Sequence, residues 1–142
     1  MKPPSARPPT IATAPPLRIF LLEDSCLLRE LLTEAFASIG GVVLAGFAEA
    51  EDDAFEQLCR LPYQILILDI ELKKGNGINL LRRLCVLPGH LPETTIIFSN
   101  NVSAAYRRAA APLGVDYFFD KTAEFTQLQQ LLEALGNKNA PV

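Results

Sequence analysis

One histidine, three cysteines and no C-x-x-C pair leave this chain of 142 residues without the makings of a histidine or thiolate metal site. No stretch approaches the roughly 18 apolar residues of a membrane span, and the amino-terminal segment lacks the apolar core of a signal peptide. A cytoplasmic protein with no membrane partner is expected. An excess of positive charge is missing too: 13 Lys and Arg stand against 16 Asp and Glu, for a net charge of −3 and a pI near 5.1. The bases are scattered, so no basic field awaits a nucleic-acid backbone. No G-x-G-x-x-G or G-x-x-x-x-G-K follows any strand identified below, which removes the usual cradle for a dinucleotide or ATP. Whatever chemistry the chain performs must come from side chains.

What is present is apolar and regular. At 49% hydrophobic residues and a mean hydropathy of +0.20, the length suits one domain with a substantial core. Residues 1–16 hold six of the eleven prolines, with Lys2 and Arg7 and no acid, and read as a flexible Pro-rich tail. From Leu17 the pattern changes. Residues 17–22 form a strand candidate, and Ser25 can cap a helix carrying Leu28, Leu31, Leu32, Ala35, Phe36 and Ile39 up to Gly40-Gly41. Residues 42–47 give a second strand and 49–60 a second helix, with Ala54, Phe55 and Leu58 inward. The run Ile65-Leu66-Ile67-Leu68, apolar on both alternating faces, reads as a strand covered on both sides and ends on Asp69.

A polar loop, 71–77, leads to a third helix with Ile78, Leu81, Leu84 and Cys85, closed by Pro88-Gly89. Residues 95–98 make a fourth strand, 102–111 an alanine-rich helix stopped by Pro112, and 115–119 a fifth strand. Thr122 can cap the last helix, with Phe125, Leu128, Leu131, Leu132 and Leu135 on one face before Gly136, leaving a short tail, 137–142. Cys26, Cys59 and Cys85 fall inside these helical patterns and are expected to be reduced core thiols. His90, in a loop between Gly89 and Pro92, is expected to be solvated. Five strands alternating with five helices imply right-handed crossovers and a parallel sheet covered on both faces; a closed eight-stranded barrel needs a longer chain.

Such folds bind ligands beyond the carboxyl ends of their strands. There the first strand delivers Glu23 and Asp24, the third Asp69, the fourth Ser99 and the fifth Lys121. Taken alone, Lys121 would be a solvated loop lysine and Ser99 a turn cap. Placed together they form a site. Crowded carboxylates repel unless a cation neutralises them, and oxygen ligands without histidine or clustered cysteine favour a hard ion such as Mg²⁺. An ion beside an aspartate permits phosphoryl transfer onto that aspartate. Lys121 and the Ser99 hydroxyl can then stabilise the oxygens of the transferred group.

With these pieces in order, the sequence closely resembles the receiver domain of bacterial two-component response regulators. The matching residues are Glu23-Asp24, Leu68-Asp69, Gly77, Ser99 and Phe118-Phe119-Asp120-Lys121, with spacings of 45, 30 and 22 between Asp24, Asp69, Ser99 and Lys121. The likeness covers residues 17 to 136. It implies a flavodoxin-like (βα)5 fold with strand order 2-1-3-4-5 and Asp69 as phosphoacceptor. It also implies Mg²⁺ held by Asp24, Asp69 and the backbone carbonyl of Glu71, with Glu23 nearby. Ser99 would be the switch hydroxyl and Phe118 the aromatic that moves with it. The implied partner is a histidine kinase or histidine phosphotransfer protein, with no catalysis beyond self-phosphorylation and self-dephosphorylation at Asp69. The signalling surface is expected on residues 102–111, the fifth strand and the last helix, with a homodimer as an allowed state.

Three residues depart from the family pattern: Thr122 replaces a proline after the lysine, Asn100 a small residue after the switch hydroxyl, and Lys73 a frequent proline. Since only residues 137–142 follow Gly136, the expectation is a stand-alone receiver. Two alternatives remain beside it. One is a receiver fold used as a binding module without phosphorylation. The other is an aspartyl-phosphate phosphohydrolase with Asp69 as nucleophile and Glu71 two residues on; that family usually has Asp at the second position, a capping insertion and no acidic pair.

Overall fold

The computed structural model describes residues 14–100 and 103–139. Alternating apolar strands and amphipathic helices assemble in the order β1 (Leu17–Leu22), α1 (Cys26–Ala37), β2 (Val42–Ala48), α2 (Glu51–Arg60), β3 (Ile65–Leu68) and α3 (Gly77–Cys85). β4 (Thr94–Ser99), α4 (Ala104–Ala110), β5 (Tyr117–Asp120) and α5 (Phe125–Asn139) follow. The five strands pair in parallel in the order β2-β1-β3-β4-β5, as the flavodoxin-like reading requires. The order reverses between β1 and β3, so their carboxyl ends flank the crevice where such sheets place ligands.

Every β3 side chain is buried because helices cover both faces. Each aliphatic side chain of that kind contributes roughly 1.5–3 kcal/mol relative to exposure. Two cores result. One joins Leu66, Leu68 and Ile97 to Ala54 and Leu58 of α2, Ile78, Leu80, Leu81 and Leu84 of α3 and Ala110 of α4. The other joins Ile65, Ile67, Ile96 and Phe98 to Leu32 and Phe36 of α1 and Leu128 and Leu132 of α5.

Several local expectations are corrected. Leu31 is 53% exposed, since Leu28, Leu32 and Phe36 already fill the inward face of α1. The cysteines are free but are not core thiols. Cys26 opens α1 on its outer side and Cys85 closes α3, both exposed, while Cys59 is half-buried. α2 starts at Glu51 rather than at residue 49. α4 is shorter than 102–111; residues 101–102 lie outside the described residues, and its end tightens into a 3-10 turn, Ala111–Leu113, closed by Gly114 at φ +86°. β5 starts at Tyr117 because Asp116 engages β4 through its side chain: Asp116 Oδ2 accepts from the Thr95 amide (2.8 Å), and the Asp116 amide donates to the Thr95 carbonyl (2.8 Å).

Thr122 does not cap α5. Its hydroxyl and amide both donate to Asp120 Oδ1 (2.6 and 2.7 Å), forming a turn, and the Glu124 carbonyl accepts the first helical bond, from Leu128. Gly136 does not end α5 either. The helix continues to Asn139, and Gly136 serves contact instead: a Cβ there would collide with the Gly40 carbonyl, and one at Gly41 with the Gly136 carbonyl. Asn139 Nδ2 then donates to the Pro15 carbonyl (2.9 Å), fixing the approach to β1. The expected Pro-rich tail, up to residue 13, and residues 140–142 lie outside the described residues.

Candidate functional site

Strands β1, β3, β4 and β5 lie side by side, so their carboxyl ends bring Glu23, Asp24, Asp69, Ser99 and Lys121 into one cluster. The edge strand β2 supplies support instead, its Ala48 carbonyl accepting from the Glu23 amide (3.0 Å).

Asp69 is the hub. One carboxylate oxygen, Oδ1, accepts from the Ser99 hydroxyl (2.7 Å) and from the Ile70 amide (2.7 Å); the other, Oδ2, accepts from Lys121 Nζ (2.6 Å). The same ammonium pairs with Glu23 Oε1 at 2.7 Å. Burial alone would lower the Lys121 pKa, but the hydrogen bonds to Asp69 and Glu23 and their charges outweigh it and raise the value. Gly77 begins α3 against the Asp69 backbone, where a Cβ would strike the Asp69 carbonyl.

Asp24 is partly exposed at the mouth of the cluster, its Oδ2 accepting from the Lys73 amide (2.7 Å). Oxygens of Glu23, Asp24 and Asp69 lie within 4.8 Å of one another. Three carboxylates facing one ammonium leave two negative charges uncompensated, and the donors are all oxygen, a set that suits a hard divalent cation. The β3–α3 loop folds back through an antiparallel bridge between Glu71 and Asn76, which presents its first residues beside Asp69.

Phe118 is half-buried in the core that contains α3 and α4, with Arg107 5.0 Å above its ring. Its neighbour Phe119 belongs to the opposite core. Phe118 pairs in register with Ile97, and Ser99 with Asp120, so Phe118 lies two residues below the level of the site.

A sequence model described as the response regulator receiver domain matches residues 19–133. The chain belongs to that receiver family. Among curated relatives, the receiver is 33% identical over 113 residues to a protein-glutamate methylesterase/protein-glutamine glutaminase of Saccharophagus degradans. That match covers 80% of this chain and 32% of that protein. Another such protein, from Bdellovibrio bacteriovorus, is 27% identical over 121 residues, covering 83% of this chain and 33% of that one. The chain thus spans about a third of these relatives' length. Among solved structures, the response regulator domain of Thermotoga maritima CheB superposes with a TM-score of 0.73 at 24% identity, over 87% of this chain and 96% of that one. The phosphorylated cyanobacterial phytochrome response regulator RcpA superposes with a TM-score of 0.72 at 20% identity, over 84% and 91%. These two support the fold. No helix among the described residues of the receiver is long and apolar enough to cross a membrane.

Two residues around the site carried no sequence signal. Arg29 of α1 donates to the Glu23 carbonyl (2.9 Å), pairs with Glu49 (2.7 Å) and lies 4.8 Å over the Phe47 ring, thereby bracing the acidic pair. Glu51 is buried at the start of α2 and bonds the β3–α3 loop. By sequence alone, Arg29 is one more surface helix arginine. Glu51 is an acid complementing a helix amino terminus.

Proposed function

We propose that Asp69 accepts a phosphoryl group from a histidine kinase or histidine phosphotransfer protein, and that the modified receiver engages a downstream protein through a switched surface. The observation that carries this reading is the environment of one carboxylate: Asp69 holds the Ser99 hydroxyl on one oxygen and the Lys121 ammonium on the other, with two further acids within reach.

Asp24, Asp69 and the backbone carbonyl of Glu71 would hold Mg²⁺, with Glu23 nearby. When bound, the ion supplies positive charge to the oxygens of the incoming phosphoryl group. A carboxylate oxygen of Asp69 attacks phosphorus as the bond to the donor nitrogen breaks, leaving an acyl phosphate on the aspartate. Glu23 and Asp69 hold the Lys121 ammonium in place beforehand, so its charge meets the transferred oxygens without a search. Ser99 exchanges its bond to the carboxylate for one to a phosphoryl oxygen. The methylesterase name belongs to relatives of which this chain covers a third, and the proposed function is confined to receiver chemistry.

Incubating the protein with Mg²⁺ and a small phosphodonor, followed by intact mass, tests the assignment. Wild type gains one phosphoryl group, whereas Asp69→Asn gains none and keeps its fold, because the substitution removes the nucleophile with little loss of packing. An unmodified wild type would favour the binding module without phosphorylation; an equally modified Asp69→Asn would place the acceptor elsewhere.

A further inference from the structure

We infer that Glu51 is a positioning residue for the site, holding the β3–α3 loop in its ligand-presenting shape before any ion arrives. The inference rests on the reading of that loop's Glu71 carbonyl as a Mg²⁺ ligand. Glu51 is only 7% exposed, and a carboxylate is buried at a cost unless donors converge on it. They do. Oε1 accepts from the Asn76 amide (3.0 Å), Oε2 accepts from Asn79 Nδ2 and from Arg83 Nη1 (2.8 Å), and the Glu51 amide donates to the Lys74 carbonyl (3.1 Å). Arg83 is itself seated 4.1 Å over Phe55 and paired with Asp52 (2.7 Å).

The placement of these bonds distinguishes them from a general stabilising pair. Asn76 is the residue bridged to Glu71, so the carboxylate grips the loop directly opposite the carbonyl in question. Gly75, at φ +104°, packs on the Glu51 side chain with no room for a Cβ. From the other side the loop is gripped at Lys73 by Asp24. Residues 71–76 are therefore ordered from both flanks, and the ion need not supply that ordering itself, which is how preorganisation raises affinity.

Mg²⁺ titration of the full chain, followed by amide shifts at residues 69–77, tests this in wild type, Glu51→Ala and Glu51→Gln. Glutamine keeps an acceptor for the Asn76 amide and loses the ion pair. Glu51→Ala is expected to bind Mg²⁺ at least ~10-fold more weakly, and Glu51→Gln to recover most of that loss although it too is less stable. Equal affinity in wild type and Glu51→Ala, or equal losses in both variants, would overturn the inference while leaving the Mg²⁺ site intact. Amide hydrogen exchange without metal covers the case in which Glu51→Ala does not fold. The Asn76 amide is expected to be protected in wild type and in Glu51→Gln; rapid exchange in wild type sinks the proposal. A wild type with no Mg²⁺ response overturns the metal reading itself, and the inference with it.

Discussion

At the scale of single residues, charge placement decides more than charge count. Lys121 and Glu51 are both ion-paired, and their pH behaviour has opposite sign. Lys121 has a raised pKa, so the stability it contributes is fully present below the unfolded lysine value, about 10.4, and is lost as pH rises through the folded value. For Glu51, burial would raise the pKa, but the hydrogen bonds from Arg83, Asn76 and Asn79 and the Arg83 charge prevail and lower it. Its contribution is present above the unfolded glutamate value, about 4.3, and is lost as pH falls through the folded value. Glu51→Gln is expected to cost about 1.5–3 kcal/mol near pH 7, the range for hydrogen bonds to a charged group. Denaturant melts as a function of pH check it: the gap to wild type should close progressively below about pH 4.3, and a gap constant down to acid pH would show that the carboxylate charge is not what stabilises the loop.

The convergence of Asp69, Ser99 and Lys121 was legible in the sequence because a parallel strand announces its own end, and neighbouring strands bring their ends together. Glu51 and Arg29 were not, since what each holds is set by loops folding back from elsewhere in the chain. The cysteines misled for a related reason. Cys26 and Cys85 sit at the first and last positions of helices, where a periodic pattern does not fix the inward direction.

At the scale of elements, the order and kind of all ten strands and helices follow from periodicity, and two of the boundaries that moved, the starts of α5 and β5, are set where side chains bond backbone. Asp120 and Thr122 build a turn that delays α5, and Asp116 delays β5 by bonding β4. Gly136 is the informative case. Glycine near a helix end usually signals termination, but here it lets α5 meet the Gly40-Gly41 turn backbone to backbone. In an open helix Gly→Ala would stabilise by roughly 1 kcal/mol. Gly136→Ala is expected to do the reverse and destabilise by about 1–3 kcal/mol through overpacking, read as a lower urea midpoint with an unchanged slope. Gly77→Ala acts at the other end of the molecule. Its Cβ would press on the Asp69 carbonyl, so phosphorylation by a small donor should slow at least ~10-fold while the protein remains folded; a wild-type rate would mean that the α3 terminus yields without moving Asp69.

At the scale of the whole molecule, the sheet separates two cores, and the proposed signal would leave the site through one of them. Ile97 and Phe118 face the core shared by α3 and α4, whereas Phe98 and Phe119 face that of α1 and α5. Ser99 is buried and already bonded to Asp69, so drawing it toward an added phosphoryl group moves the end of β4 rather than an exposed loop. Little resists on the α4 side: the helix has seven residues, of which Ala110 is buried and Tyr106 and Ala109 are half-buried, and such sparsely anchored elements shift at low cost. The Arg107 guanidinium over Phe118 links the outer surface of α4 to the ring that would follow Ser99. With Mg²⁺ and beryllofluoride as a phosphoryl mimic, amide shifts are therefore expected at Ser99, along Ala104–Ala110 and at Tyr117–Asp120, each exceeding those of Cys26–Ala37. Tyr117, which is exposed and precedes Phe118 in β5, should report the change at the surface. Perturbations confined to residues 69–77, or stronger in α1 than in α4, would show that the signal leaves the site by the other core.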